Sequence, residues 1–241
     1  MVQAPRLPQL TDCDVDFLTR TLAGNPASPA ANALLRLLAD EEECGRILDD
    51  PLLYEALVES AAPIGLSTAF YFHVLVRRSM LRRGFDTPGD RELAGYVAAV
   101  LAAFARREHL DLVLEGEARP AKGARAFGYL SDLLAAAEQA PAGRAFARRL
   151  NLADFALFQS GLFKETLDAK EQRRGAPSVV FYEAIGSAGY RAAARFPEAA
   201  RCRTRTLFDR LGEAFHDIRL ALNEMTEKSL HFEVFPALPE S

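Results

Sequence analysis

The feature that most constrains this chain is the uncharged run Ser60–Val76, which ends at the basic residue Arg77. Its apolar residues lie on every side of a helix rather than along one stripe, and such helices are normally buried on all sides. The run falls short of the roughly 18–20 residues that a membrane-spanning helix needs, and it contains Pro63 and Gly65. It therefore predicts a buried central helix over 63–83 and no membrane span.

Proline residues indicate where several other helices begin. A proline costs little in the first helical turn, where its missing amide would be unpaired anyway, and a side chain that caps the helix often stands before it. This arrangement occurs at Ser28-Pro29, Asp50-Pro51 and Thr87-Pro88. Together with the 3.6-residue spacing of apolar side chains, it predicts helices over 29–39, 41–48, 51–60, 63–83, 88–107, 123–139, 142–163, 177–195 and 198–229.

Only two short stretches alternate as strands do, Leu110–Leu114 and His231–Phe235. They allow at most one small hairpin. We therefore predict an all-α fold, a single multi-helix domain of about eight or nine helices around the buried helix. Residues 1–27 are expected to form an irregular N-terminal arm containing a short helix near Asp14–Ala23, and residues 28–241 a single helical domain.

The three cysteines, Cys13, Cys44 and Cys202, are far apart and show no metal-ligand spacing. Free thiols in such numbers are typical of a reducing compartment. The N-terminus lacks the cationic start and apolar core of a secretory signal. These features predict a cytoplasmic protein without membrane association, and the preference for arginine over lysine and the abundant alanine favour a bacterial source.

The predicted helix 198–229 carries two apolar stripes. One has the alternating spacing of a coiled-coil seam and comprises Leu207, Leu211, Ala214, Ile218, Ala221 and Met225. The second comprises Phe208, Phe215 and Leu222. The helix can bury both stripes within its own chain, or it can form a homodimer through one of them. On the preceding helix, Gly186 and Gly189 predict the close approach of another backbone or of a ligand.

No phosphate-binding loop, dinucleotide fingerprint, nucleophile elbow or paired-histidine zinc motif is present. The sequence thus predicts no cofactor and leaves catalysis an open question. Glu213 and His216 are three residues apart, as ligands are in di-iron carboxylate bundles. With His73, and with Glu55, Glu59 or Glu183 as further ligands, they define one alternative: a ferritin-like or oxygenase-like helical metalloenzyme that uses non-haem iron or manganese.

His73 is the one polar side chain in the middle of the apolar run, and a buried imidazole needs a hydrogen-bond partner. Arg77 lies one helical turn further on the same side. Such a residue is more often a core histidine whose hydrogen bonds are satisfied, and the functional alternative is a small-molecule pocket built around this pair with aromatic side chains from the same and later helices. Its residues are Tyr71, His73, Arg77, Phe158 and Tyr182.

The net charge of the chain argues against a nucleic-acid partner. The chain is acidic overall, with a net charge of −4 and a pI of about 5.7. Residues 1–62 contain four arginines and eleven acidic residues, whereas residues 140–219 contain fourteen basic and nine acidic residues. Arginine doublets at helix ends are typical of dipole compensation, and no helix-turn-helix pattern accompanies them.

The leading functional hypothesis is therefore a cytosolic helical protein that binds a small ligand or a protein partner in a regulatory or accessory role. The metalloenzyme is the first alternative. The second is a nucleic-acid-binding regulator, which the acidic balance of the chain disfavours.

Overall fold

The computed structural model describes residues 7–59, 65–105 and 126–229. Over these ranges it contains thirteen α-helices and no strand, which confirms the all-α prediction with more helices than expected. The helices are α1 (Asp12–Ala23), α2 (Pro29–Leu37), α3 (Glu41–Leu48), α4 (Pro51–Glu59), α5 (Thr68–Arg82), α6 (Pro88–Phe104), α7 (Ala126–Glu138), α8 (Ala142–Leu162), α9 (Lys164–Arg174), α10 (Val179–Ala194), α11 (Pro197–Arg201), α12 (Arg205–Glu213) and α13 (Phe215–Ser229). Both strand-like segments lie outside the described residues.

The described chain falls into two compact units. The first, which we call the N-terminal unit, comprises residues 7–59 and 65–102 and the last three residues of α13. The second, the C-terminal unit, comprises residues 103–105 and 126–226 and holds α7 to α12 with most of α13. The division predicted from sequence, an arm over 1–27 and one domain over 28–241, stays a prediction.

Local chemistry sets the helix starts of the N-terminal unit. The Ser28 hydroxyl accepts a hydrogen bond from the amide of Ala31, and α2 begins at the intervening proline. Before α6, the Asp90 carboxylate accepts the Thr87 amide at 2.9 Å. Residues 12–23, expected to lie in an irregular arm with a short helix, form a helix of three turns with a complete capping box at Thr11.

The predicted central helix is present as α5 and is buried on all sides. Its buried residues are Phe70, Phe72, His73, Val74, Leu75, Val76, Arg77, Ser79 and Met80. It begins at Thr68 and not at residue 63, because the Ser67 hydroxyl caps it and Gly65 has a left-handed φ of 99°. Among the described residues, no helix is long and apolar enough to cross a membrane.

In the C-terminal unit, α10 packs against both α8 and α12. Its two glycines permit this close approach, which is one of the outcomes expected from the sequence. A methyl group on Gly189 would lie 2.9 Å from the Ala153 Cβ of α8, and a methyl group on Gly186 would overlap the Phe215 ring. Phe215 is 1% exposed, so its ring has little room to move.

Replacing Gly186 with alanine is expected to lower the free energy of unfolding by about 1–3 kcal/mol, because the new methyl group overpacks the core. The better helix propensity of alanine offsets part of this cost. Gly143→Ala is the matched control, since that glycine is also helical but has open space around its Cβ position. Urea denaturation measures both variants. Equal stability of the two would contradict the close packing at Gly186.

The single helix predicted over 198–229 is wrong, because the chain forms α11, α12 and α13 there. After α11, Arg203 adopts a left-handed φ of 56°. Between α12 and α13, the Ser187 hydroxyl donates to the Gly212 carbonyl at 2.7 Å. In a continuous helix the amide of residue 216 would donate its hydrogen bond to the Gly212 carbonyl. A side chain that takes such a carbonyl from the backbone hydrogen bonds of a helix causes a kink. The tertiary contact therefore interrupts the helix.

Both apolar stripes of this region are nevertheless covered within the chain. Apart from the half-buried Ala214, every residue of the two stripes is buried. Burial in the chain's own core is thus the arrangement found, and the homodimer through 198–229 stays a prediction.

Candidate functional site

The predicted pocket residues on α5 face different surroundings. His73 and Arg77, one turn apart, are both buried, each with 2% of its surface exposed. Tyr71 is half-buried, and burial together with its neighbour Tyr54 raises the pKa of its phenol. The structure therefore places His73 and Arg77 together and Tyr71 beside Tyr54.

Arg77, which is buried, is the centre of a partly exposed ion cluster in the N-terminal unit. Its Nε and Nη2 donate to the two carboxylate oxygens of Asp49 at 2.8 and 3.1 Å, which is the bidentate geometry of a strong arginine–carboxylate pair. Its Nη1 donates to the Phe85 carbonyl at 2.7 Å. Arg91 adds a third hydrogen bond to Asp49 at 2.8 Å. We call Asp49, Arg77 and Arg91 the ion cluster.

Three helices supply this ion cluster. Asp49 follows the last residue of α3, Arg77 lies in the middle of α5, and Arg91 is in the first turn of α6. Gly45 of α3 makes room for it, because a methyl group there would come within 2.9 Å of the Arg91 Cδ. Burial alone would raise the pKa of the Asp49 carboxyl, but the hydrogen bonds from both arginines hold that pKa below its usual value. The carboxylate thus stays ionised and joins the three helices.

His73 lies within electrostatic reach of this cluster but forms no hydrogen bond through Nε2, which is buried. Burial, reinforced by Arg77 and Arg91 and opposed by Asp49, lowers the pKa of His73 from 6.5 to about 4. The imidazole is therefore neutral at pH 7. A neutral, enclosed ring beside an arginine whose three nitrogens already donate hydrogen bonds is poorly suited to acid catalysis. The arrangement is typical of a core that holds helices together.

The two remaining pocket residues belong to the C-terminal unit. Phe158 of α8 stacks on Phe104 with ring centroids 4.9 Å apart. Tyr182 of α10 is 2% exposed, and its burial raises the pKa of its phenol. Both side chains contribute to the core of that unit, and the pocket that would join them to α5 stays a prediction.

The predicted metal ligands are separated by the break between α12 and α13. Glu213 is exposed at the last position of α12. His216 lies on α13 and directs its Nδ1 toward Glu183 of α10, 3.0 Å from Oε1. His73 lies in the other unit. Within the described ranges, no three His, Cys, Asp or Glu side chains are grouped closely enough to hold a metal ion.

Glu183 belongs instead to a polar network that ties α8, α10 and α13 together. Arg219, 6% exposed, donates its Nε to Glu183 at 2.9 Å and its Nη1 to Asn223 at 2.7 Å. The Asn223 amide in turn donates to the carbonyls of Ser160 and Gly161 at the end of α8. These carbonyls lack partners inside their own helix, so Asn223 satisfies them.

The surface feature that sequence reasoning missed is on α2. Only Ala31 of its nine residues is buried. Leu34 and Leu38 are half-buried, while Leu35 and Leu37 are 41% and 45% exposed. Four leucines within five residues predict a helix with a buried face, and nothing in the local pattern distinguishes a covered face from an open one. We call these four leucines the α2 leucine face.

Acidic side chains follow this face directly. Asp40 caps α3, because its carboxylate accepts hydrogen bonds from the amides of Glu42 and Glu43. The first turn of α3 consists of Glu41, Glu42 and Glu43. Arg46 pairs with two of these carboxylates, at 2.6 and 2.9 Å. Among the described residues Glu41 has no ion-pair partner, so the surface beside the α2 leucine face is negative.

Comparisons with protein-family models, with curated proteins and with solved structures found no significant match to this chain.

Proposed function

We propose that this protein is a non-catalytic accessory protein that binds a protein partner through the α2 leucine face. The observation that carries the proposal is the exposure of Leu35 and Leu37 on a helix whose apolar side is only partly covered. Single exposed apolar residues need no explanation, but a cluster of large ones on one helix is typical of interaction sites.

Charge indicates the kind of partner. The leucines are followed by the capping Asp40 and the glutamates of α3, in a region of the chain rich in acids and poor in bases. An amphipathic helix with an apolar face and flanking lysines or arginines would cover the leucines and complement this charge. All three guanidinium nitrogens of Arg77 already donate hydrogen bonds within the protein, which favours such a role over catalysis at this arginine.

A fluorescently labelled 14-residue peptide of leucine and lysine, designed as an amphipathic helix, tests the proposal by anisotropy. We expect saturable binding that weakens at least about tenfold in the Leu35→Ser/Leu37→Ser variant, because both side chains lie at the contact. Since both leucines are exposed, the melting temperature of this variant should stay close to that of the wild type. Leu52→Ser is the matched control, a 52% exposed leucine on α4 that should leave binding unchanged.

Two further measurements distinguish a basic partner helix from an acidic one and from a second copy of this chain. A peptide with every lysine replaced by glutamate should bind much more weakly, and equal binding would overturn the assignment of a basic partner. Sedimentation velocity should show the same oligomeric state for the wild type and the double variant. A dimer that the double substitution dissociates would make a second copy the occupant and overturn the proposal.

A further inference from the structure

A polar concavity lies in the C-terminal unit, where the end of α10 meets the first half of α12. Its volume is about 450 Å³, and it is lined by Ala194, Arg195, Arg205 and Asp209. The Nε of Arg205 donates to the Ala194 carbonyl at 3.2 Å, which positions this guanidinium at the concavity. Within the described part of the chain neither arginine forms an ion pair, nor does Asp209. Both guanidinium groups therefore retain donors for a ligand.

The turn between α11 and α12 determines where Arg205 lies. The amide of Thr204 donates to the Ala199 carbonyl and the amide of Arg203 to the Ala200 carbonyl, which is the hydrogen-bond pattern of a Schellman motif. Arg203 takes the left-handed position usually held by glycine. The motif reverses the chain, so that Arg205, the first residue of α12, returns to the end of α10.

Charge distinguishes this surface from the rest of the acidic chain. Residues 191–210 contain six arginines, two acidic residues and no lysine. Arg195, Arg201, Arg203 and Arg205 are all exposed. In addition, the Thr204 hydroxyl points back to the Ala199 carbonyl, so no side chain caps the positive end of α12. The arginine fork matches phosphate and carboxylate oxygens better than the point charge of lysine does.

We propose that this concavity binds a small phosphorylated molecule, with Arg195 and Arg205 holding its phosphate group. The concavity is open to solvent, so it would hold the phosphate group and leave the rest of the molecule largely exposed. Asp209 lies one turn beyond Arg205 on the same face of α12 and adds an acceptor. It selects ligands that carry a hydroxyl or ammonium donor near the phosphate, and it opposes the approach of a continuous polyanion. The ligand class is thus a phosphorylated polyol or sugar and not nucleic acid.

Isothermal titration calorimetry of the full chain with ribose 5-phosphate, ribose and inorganic phosphate tests this assignment. We expect ribose 5-phosphate to bind most tightly and ribose not at all. Arg195→Ala and Arg205→Ala should each weaken binding at least about tenfold, because each removes a charge-assisted contact. Arg173→Ala, which removes an exposed arginine of α9, is the control and should leave the affinity unchanged.

The variant Asp209→Asn tests whether Asp209 recognises a group beside the phosphate or whether the arginines attract all anions alike. The substitution should strengthen the binding of inorganic phosphate and reduce the preference for ribose 5-phosphate over it. If all anions bind equally in every variant, or if no phosphorylated probe binds more tightly than about 10 mM, the proposal is wrong. Tighter binding of a 20-nucleotide single-stranded DNA, with a steep salt dependence, would assign the surface to nucleic acid and overturn it as well.

Discussion

Replacing Asp49 with alanine is expected to lower the free energy of unfolding by about 3–5 kcal/mol, because it leaves a buried guanidinium without its counter-ion. Arg77 is 2% exposed and gives two of its hydrogen bonds to this carboxylate. Arg91 loses its hydrogen bond to the same carboxylate. Chemical denaturation at pH 7 measures the loss. Since three helices meet at Asp49, we expect the cooperativity of unfolding in the N-terminal unit to fall as well.

The matched control is Glu42→Ala, which removes an ion pair of 2.6 Å from the surface. Its partner Arg46 is 57% exposed, and exposed pairs of this kind contribute only about 0–1 kcal/mol. The double variant Asp49→Leu/Arg77→Met should recover much of the stability lost in Asp49→Ala, because apolar side chains can replace a buried pair without leaving a charge. A loss below about 1 kcal/mol in Asp49→Ala would contradict the burial of Arg77.

Acidification from pH 6.5 to pH 4 is expected to remove about 3 kcal/mol of stability through His73 alone. The pKa of this side chain is 6.5 without the protein environment and about 4 in the folded protein. Between these two values the unfolded chain binds the additional proton and the folded chain does not, so unfolding is favoured as the pH falls. Below pH 4 both states are protonated, and this contribution no longer changes.

The variant His73→Leu isolates the effect. Leucine has a similar volume, and Nε2 of the histidine makes no hydrogen bond, so stability at pH 7 should change by less than about 1.5 kcal/mol. The difference in stability between wild type and variant should then shift with pH over the window from 6.5 to 4. Ser79→Ala, which alters a buried residue of α5 that does not titrate, should keep the wild-type slope. Parallel curves for wild type and His73→Leu would show that burial of His73 does not control the acid transition.

Much of the helical architecture follows from local sequence. The starts of α2, α4 and α6 coincide with Pro29, Pro51 and Pro88, as predicted from a proline behind a capping residue. The apolar residues of α6 that recur at helical spacing are all buried, and they are Leu93, Tyr96, Val97, Val100, Leu101 and Phe104. By contrast, α9 was not predicted, because its sequence is almost entirely polar and buries mainly Leu167. A helix without an apolar stripe gives periodicity analysis nothing to detect.

The candidate sites were less accessible to sequence reasoning. His73 was correctly expected to be buried and close to Arg77, since both follow from helical spacing inside an apolar run. Its electrostatic neighbours Asp49 and Arg91, however, lie far away in sequence. In the same way, no spacing rule connects His216 with Glu183, 33 residues away. Such pairs depend on how helices cross, which local patterns do not encode.

What the sequence determined by itself is the class of fold, the starts of several helices and the burial of α5. These depend on interactions within a few residues: capping hydrogen bonds, the fixed φ of proline, and the exclusion of an uncharged helix from water. Tertiary structure decided the rest. It broke the helix predicted over 198–229 through Ser187 and Gly212, and it left the α2 leucine face partly uncovered. The physical reason is that a carbonyl or a leucine has the same local chemistry at every position in the chain. Whether the carbonyl accepts a hydrogen bond and whether the leucine is buried depend on which helix packs against it.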